Sequence, residues 1–198
     1  MSEEWMKGLP VLSSAKMSPQ KTGLVHSVFL SVEELGNAAK RLCDHGYSIE
    51  DVSVVDTVQG FMVVYHFDRL MSPGRVALRI LAPHDRPEVP SVSEIFPGAN
   101  WHERECHDFF GVIFTGHPNL VPLLLPEDAK FHPLLKSTEE RRAIQEIMSP
   151  GDVEVSTPAF EAFFPKPETE EAGAEKPDEQ SAKEKSAGPG PTAVEGKA

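Results

Sequence analysis

From Lys166 to Ala198 the chain has no leucine, isoleucine, methionine or aromatic residue, so any core must come from the residues before Lys166. Ordering the backbone costs roughly 1–2 kcal/mol per residue. A mixture of Glu, Lys, Pro and Gly buries too little apolar surface to offset that cost. Residues 166–198 are therefore expected to form a disordered acidic tail. What precedes them divides again. Residues 1–23 read as a loose N-terminal segment apart from Trp5 and Met6. Residues 24–110 carry the periodicities of a folded α/β unit. Residues 111–165 are rich in Pro, Leu and Phe, with little regular period.

Charge narrows the functional classes. The net charge of −12 and the absence of any Lys/Arg cluster exclude a counterion-release partnership with nucleic acid. No apolar run approaches the roughly 20 residues that a membrane-crossing helix needs. The stretch Val121 to Leu125 is short and contains Pro122, and Met1 to Pro10 has acidic Glu3 and Glu4 where a secretory signal needs positive charge. Two cysteines, Cys43 and Cys106, fit a reduced cytosolic setting. They are too few to hold an iron–sulfur cluster, which usually takes four ligands.

Local patterns in 24–110 give an element order. Leu24 to Leu30 suits a strand. Ser31 with Glu34 three residues later has the spacing of a capping box, and Leu35, Ala38, Ala39 and Leu42 mark one helical face, with Gly46 as the C-cap. Tyr47 to Thr57 and Phe61 to Phe67 read as strands joined at Gln59-Gly60. A turn at Ser72-Pro73-Gly74 leads into alternation over Arg75 to Leu81. Pro83, Pro87 and Pro90 are expected to end the sheet. A short helix should start at Ser91-Val92-Ser93-Glu94 and a second should run from Ala99 to Phe110, closed by Gly111. Strand–helix–strand–strand–strand gives an α+β fold, a mostly antiparallel sheet with flanking helices, followed by the extended proline-rich segment and the tail.

The second helix holds the densest chemistry: Trp101-His102-Glu103-Arg104-Glu105-Cys106-His107-Asp108-Phe109-Phe110. Glu103 with His107, and Arg104 with Asp108, have i,i+4 spacing, each pair worth about 0.2–0.5 kcal/mol if exposed. Trp101, Glu105 and Asp108 share a stripe, which an ordinary core face would not show. Two readings stay open on pattern alone, a solvated helix with local ion pairs and a partner-facing helix. A metal reading is weaker. His102-Glu103 followed by His107 misses the His-Glu-x-x-His spacing by one residue, about 100° of helix rotation. His102 with Cys106 has suitable spacing, but nothing in the sequence fixes a third ligand. Neither a nucleophile elbow nor a phosphate or dinucleotide loop is present.

Beyond the helix the residues follow a specific register: Glu103-Arg104-Glu105, Asp108, Phe110-Gly111, Phe114, Gly116-His117-Pro118, Leu120, Leu123-Leu124-Leu125-Pro126-Glu127-Asp128 and His132-Pro133-Leu134. This closely resembles the signature of the 30-kilodalton subunit family of respiratory complex I. The upstream Ile95 to Trp101 fits as well. The resemblance implies a non-catalytic structural subunit of the peripheral arm of an NADH:quinone oxidoreductase. It would sit on the cytoplasmic side of a bacterial membrane, associated with that membrane only through partner subunits. It implies no cofactor in this chain, with flavin, iron–sulfur clusters and quinone held by partners. The first partner would be a hydrogenase-like subunit of the quinone site, over which residues 111–165 wrap. Trp101, Glu103, Arg104, Glu105, Asp108, Phe110, His117, Pro118, Leu123, Leu124, Leu125, Pro126, His132, Pro133 and Lys136 are the interface candidates it implies.

The chain departs from the family pattern in three places. Phe131 and Leu135 stand where the family usually has Gly and Arg, no arginine occurs within Leu120 to Leu123, and Cys106-His107 replaces hydrophobic or aromatic residues. These departures suggest a divergent branch, with an electron donor other than NADH or a membrane-bound hydrogenase as the alternative setting. A stand-alone metal-dependent hydrolase using His102 and Cys106 is the alternative from another class.

Overall fold

A computed structural model describes residues 4–72 and 74–148, together with the backbone of 153–156. The expected tail, the remainder of the proline-rich segment and Pro73 of the expected turn lie outside these residues. Eight strands are described: β1 (Ser13–Met17), β2 (His26–Leu30), β3 (Ser48–Thr57), β4 (Gly60–Asp68), β5 (Val76–Ala82), β6 (Glu88–Pro90), β7 (Ile113–Thr115) and β8 (Val153–Ser156). Four α-helices accompany them: α1 (Pro19–Thr22), α2 (Leu35–Asp44), α3 (Ala99–Phe110) and α4 (Ile144–Ile147). The main sheet has the order β3-β4-β5-β2-β1-β8. Its central β2–β5 pair is parallel and the other pairs are antiparallel, so the α+β reading with a mostly antiparallel sheet holds.

The two-residue period of the strands divides the sheet into two apolar faces. On the first, Val28 and Leu30 of β2, Leu78 and Ile80 of β5, Val63 and Tyr65 of β4 and Val52 and Val54 of β3 form the main core. Helix α2 covers it with Leu35, Ala38, Ala39 and Leu42, the expected stripe, and all four are buried. Full burial of a leucine is worth about 1.5–3 kcal/mol, so Leu35 and Leu42 alone give this helix a strong reason to dock. On the second face, Ala15, Met17, Phe29, Met62, Val64 and Ala77 form a smaller cluster closed by Ile144.

Several expectations need correction. Of the segment 1–23 expected to be loose, the described residues 4–23 include β1, which pairs with β2 from Ser13↔Phe29 to Lys16↔His26, and Trp5, set apart in that expectation, is buried in the main core. The Ser31–Glu34 capping box does not form. A 3-10 turn over Val32–Glu34 intervenes, which leaves Glu34 as the residue before α2, hydrogen-bonded to Asn37 (3.1 Å). The prolines after Ala82 end this run of the main sheet as expected, but an unexpected pairing follows, Glu88–Pro90 in parallel with Ile113–Thr115 in a separate two-stranded sheet. The short helix expected at Ser91 is a set of turns, because side-chain oxygens capture its backbone donors, as described below. Finally, 111–148 contains regular elements. Ile144 N–H donates to Gln59 Oε1 (3.1 Å) and Val58 N–H to the Arg142 carbonyl (3.1 Å), which fixes the β3–β4 turn to α4.

Strand β3 is an edge of the main sheet, and α3 packs along it. The Cys106 thiol donates to the Val52 carbonyl (3.3 Å), occupying one edge acceptor. Covering an edge in this way removes a template for unwanted strand pairing. It also fixes which sides of α3 remain available to other parts of the chain.

Candidate functional site

Helix α3 runs from Ala99 to Phe110 as expected, and Gly111 ends it in the left-handed region with φ 74°. Neither expected i,i+4 ion pair forms on it. Its charged groups instead reach segments distant in sequence. Glu103 is fully buried, where its carboxylate accepts from Val92 N–H (2.8 Å) and the Ser91 hydroxyl (2.5 Å). Ser93 N–H donates to Ser91 Oγ (3.1 Å), so this group holds the 91–93 turn against the helix. Arg104 donates from Nε to the Val121 carbonyl (2.8 Å) and from Nη2 to the Pro122 carbonyl (2.7 Å). Asp108 Oδ2 accepts from three consecutive amides, Leu123 (2.8 Å), Leu124 (2.7 Å) and Leu125 (3.1 Å).

The proline-rich stretch therefore lies on α3 without secondary structure of its own. Buried or half-buried backbone groups must find partners somewhere, and here Arg104 takes the carbonyls while Asp108 takes the amides. Two histidines continue the attachment. Asn119 N–H donates to His117 Nδ1 (3.1 Å), so the proton resides on Nε2 and points to the Asn100 carbonyl (3.1 Å). His132 donates from Nδ1 to the Asp108 carbonyl (2.8 Å), and its ring lies edge-on to His107. A β-carbon at Gly111 would meet His132 Nε2 at 2.8 Å and Cδ2 at 2.9 Å. Gly111→Ala combines that contact with a left-handed backbone worth about 1–2 kcal/mol against a non-glycine residue. We expect the variant to lose about that much stability in urea unfolding, with line broadening of the His132 ring signals in NMR. Unchanged His132 shifts would show that the contact is relieved elsewhere.

Sequence reasoning missed a further anchor, Asp56. It is buried and accepts from Lys136 N–H (3.0 Å) and His84 Nε2 (2.8 Å), with Arg141 Nε 3.0 Å away. The signal was present in β3, where Val52, Val54 and Asp56 share one face by the two-residue period. Burial works against ionisation of both Asp56 and Asp108, but their donors outweigh it, and each carboxyl stays below its ordinary range. In Glu103 burial wins over the Ser91 and Val92 hydrogen bonds and pushes the carboxyl up to about 7.

The remaining candidates divide by exposure. Phe110 is partly buried against the main core, while Pro118, Pro126, Pro133 and the Lys136 side chain are exposed. Trp101 is 69% exposed and Leu124 59%. With Pro97, Gly98, His102, Glu105 and Leu123 they line an open cleft of about 580 Å³. His102 and Cys106 diverge. His102 Nδ1 lies 3.6 Å from Asp51, whereas the buried Cys106 thiol is raised by burial and bonded to β3. Among the described residues no group of three or more His, Cys, Asp or Glu is placed to hold a metal ion.

The site is thus a helix along the edge of a mixed sheet, with a proline-rich strap tied to that helix. Residues 28–143, more than half of the chain, match the family described as the respiratory-chain NADH dehydrogenase 30 Kd subunit, and the chain belongs to that family. It is 49% identical over 76 residues to the C subunit of the NADH-quinone oxidoreductase of Roseiflexus castenholzii, covering 38% of this chain and 44% of that protein. It is 40% identical over 94 residues to the C/D subunit of the NADH-quinone oxidoreductase of Shewanella woodyi, covering 48% of this chain and 16% of that protein. The match thus spans less than half the length of these curated relatives. A chain from the structure of a membrane-bound sulfane sulfur reductase, an archaeal respiratory membrane complex, shares the fold. Its TM-score is 0.57 at 19% identity, over 67% of this chain and 79% of that one.

Proposed function

We propose that this chain is a non-catalytic structural subunit in the peripheral arm of a complex-I-type NADH:quinone oxidoreductase, supporting the quinone-site module while electron transfer drives proton translocation. In this reading α3 and the strap at 120–135 dock on a hydrogenase-like quinone-site subunit. Flavin, iron–sulfur clusters and quinone reside in partner subunits. The chain is peripheral on the cytoplasmic side of the membrane. No described helix is long and apolar enough to cross a membrane, which fits attachment through partners.

The observation that carries the reading is the outward apolar face of the strap. Arg104 and Asp108 satisfy its backbone from below, while Trp101 and Leu124 face solvent around the cleft and Phe131, Leu134 and Leu135 are exposed further along. A tryptophan buries about 150–250 Å² when covered, and such anchors dominate interface energetics. Trp101→Ala should therefore lower co-purification with the hydrogenase-like subunit from solubilised membranes about tenfold or more. The urea midpoint of the isolated chain should stay where it is. Assembly at the original level would sink the reading.

A further inference from the structure

The second face of the main sheet carries a cation that the proposed function does not use. Arg79 of β5 stands in the cross-strand row Ser53, Val64, Arg79 and Phe29, on the face it shares with Met62 and Ala77. Its guanidinium donates from one Nη to the Ser27 hydroxyl and lies over the Phe29 ring, 6.0 Å from the ring centre. Arg79 Nε is buried without a hydrogen-bond partner. Among the described residues no carboxylate is placed to pair with it, and burial pushes the guanidinium down to about 10. A buried charge without a counter-charge is costly. An apolar side chain would fill the same row without that cost, so packing does not account for Arg79.

Arg79 and His66 line an open cavity of about 330 Å³, and no acidic side chain among the described residues lines it. Its apolar walls include Leu24, Val55, Met62, Val64 and Met148. Mostly apolar walls with a few convergent polar groups are the usual form of a small-molecule site. This volume lies near the lower end of the roughly 300–1,000 Å³ that such sites occupy. Charge narrows the ligand further. His66 Nδ1 lies 3.6 Å from Asp51, and its protonated form is disfavoured first by burial and then by the Arg79 charge. One fixed positive charge therefore faces the cavity, which matches a monoanion. A phosphate monoester, at about −1.5 to −2, would bring charge that these walls do not balance. With one Nη turned to Ser27, Nε and the second Nη leave the side-on fork that takes a planar two-oxygen anion.

We propose that this cavity binds a small monocarboxylate with an apolar stem, its carboxylate held by Arg79 and its stem laid against Leu24, Met62 and Val64. The site lies on the sheet face opposite the one that α2 covers. It stands whether or not the α3 surface meets a hydrogenase-like subunit.

The test uses the full chain with octanoate as the probe and calorimetric titration for affinity. Octanoate should bind, whereas octanol, which has the same stem without the charge, should not. Across butanoate, octanoate and hexadecanoate, affinity should peak at octanoate. Arg79→Gln should weaken octanoate about tenfold or more, the scale of one charge-assisted hydrogen bond. Val55→Phe leaves Arg79 in place and narrows the cavity, so it should weaken octanoate more than butanoate. A further readout needs no variant. Phenylglyoxal modifies accessible guanidinium groups, and peptide mass spectrometry should show octanoate slowing modification of Arg79 severalfold, with exposed Arg86 as internal reference. Octanol binding as tightly as octanoate, or affinity that climbs on to hexadecanoate, would mean apolar adsorption and overturn the site. Tighter binding of octyl phosphate would reassign the cavity to a phosphate group and overturn the carboxylate. An Arg79 whose reactivity octanoate leaves unchanged overturns the proposal outright.

Discussion

Asp108→Ala should cost the isolated chain about 2–4 kcal/mol, since one oxygen of this buried carboxylate accepts three backbone amides and hydrogen bonds to charged groups contribute about 1.5–3 kcal/mol each before solvent replaces some of them. The loss should be local in structure. Amide exchange at Leu123, Leu124 and Leu125 should accelerate most, while the β3–β4 amides stay protected until global unfolding. Because the Asp108 carboxyl is held below its ordinary range, its contribution is present above the unfolded-state pKa and fades as pH falls through the folded value. The difference between wild type and Asp108→Ala should therefore shrink in acid. A variant whose three leucine amides exchange at the wild-type rate would show that the strap is held by other contacts. Accelerated exchange at these amides would instead show that Asp108 holds the strap from within the chain.

How much of this was legible in the sequence depends on whether the cause was local. Helix α3 starts and ends where Ala99, Phe110 and Gly111 indicate, and the Leu35–Leu42 stripe gives α2, because periodicity and capping are short-range signals. Strand β1 was not legible. Ser-Ser-Ala-Lys-Met has little intrinsic strand preference, and it becomes a strand because β2 offers it a paired edge and the second face buries Ala15 and Met17. The same holds for Glu88–Pro90, which follows the end of the main sheet that the prolines predict and becomes a strand of a separate sheet only because a parallel partner lies more than twenty residues away.

The site shows the same division more sharply. The residues of α3 stand out as a charged and aromatic cluster, and the register with the strap marks the family. Helical spacing, however, offers Arg104 and Asp108 only each other, whereas their true partners lie fifteen to eighteen residues further along, in a stretch with no period of its own. Carboxylates recur as the means of attachment. Glu103 holds the turn before α3, Asp108 the strap and Asp56 the chain at Lys136. Segments poor in regular structure need such acceptors for their amides. Three buried acids in a small fold are thus the counterpart of its proline content, and they leave the apolar side chains of the strap free to face outward.

Glu103 differs from the other two acids in its protonation, which leads to a prediction of opposite sign. Its carboxyl is raised from an ordinary 4.5 to about 7, first by burial, against the opposing Ser91 and Val92 hydrogen bonds. Between these values the folded chain holds a proton that the unfolded chain releases, so stability from this group is complete below the ordinary value and is lost as pH rises toward and through 7. At roughly 1.4 kcal/mol per pKa unit the change approaches about 3 kcal/mol. Glutamine keeps an oxygen for Val92 N–H and an NH₂ for Ser91 without a proton to lose. Relative to the native chain, Glu103→Gln should gain stability steadily from about pH 5 to pH 8, with the gain levelling above that. Glu103→Ala should instead lose about 3 kcal/mol or more in acid, because it empties a buried site and orphans the Val92 amide. Urea midpoints collected across this range measure both. A constant offset between Glu103→Gln and the native chain would mean that Glu103 is ionised throughout, and that Ser91 and Val92 together outweigh its burial.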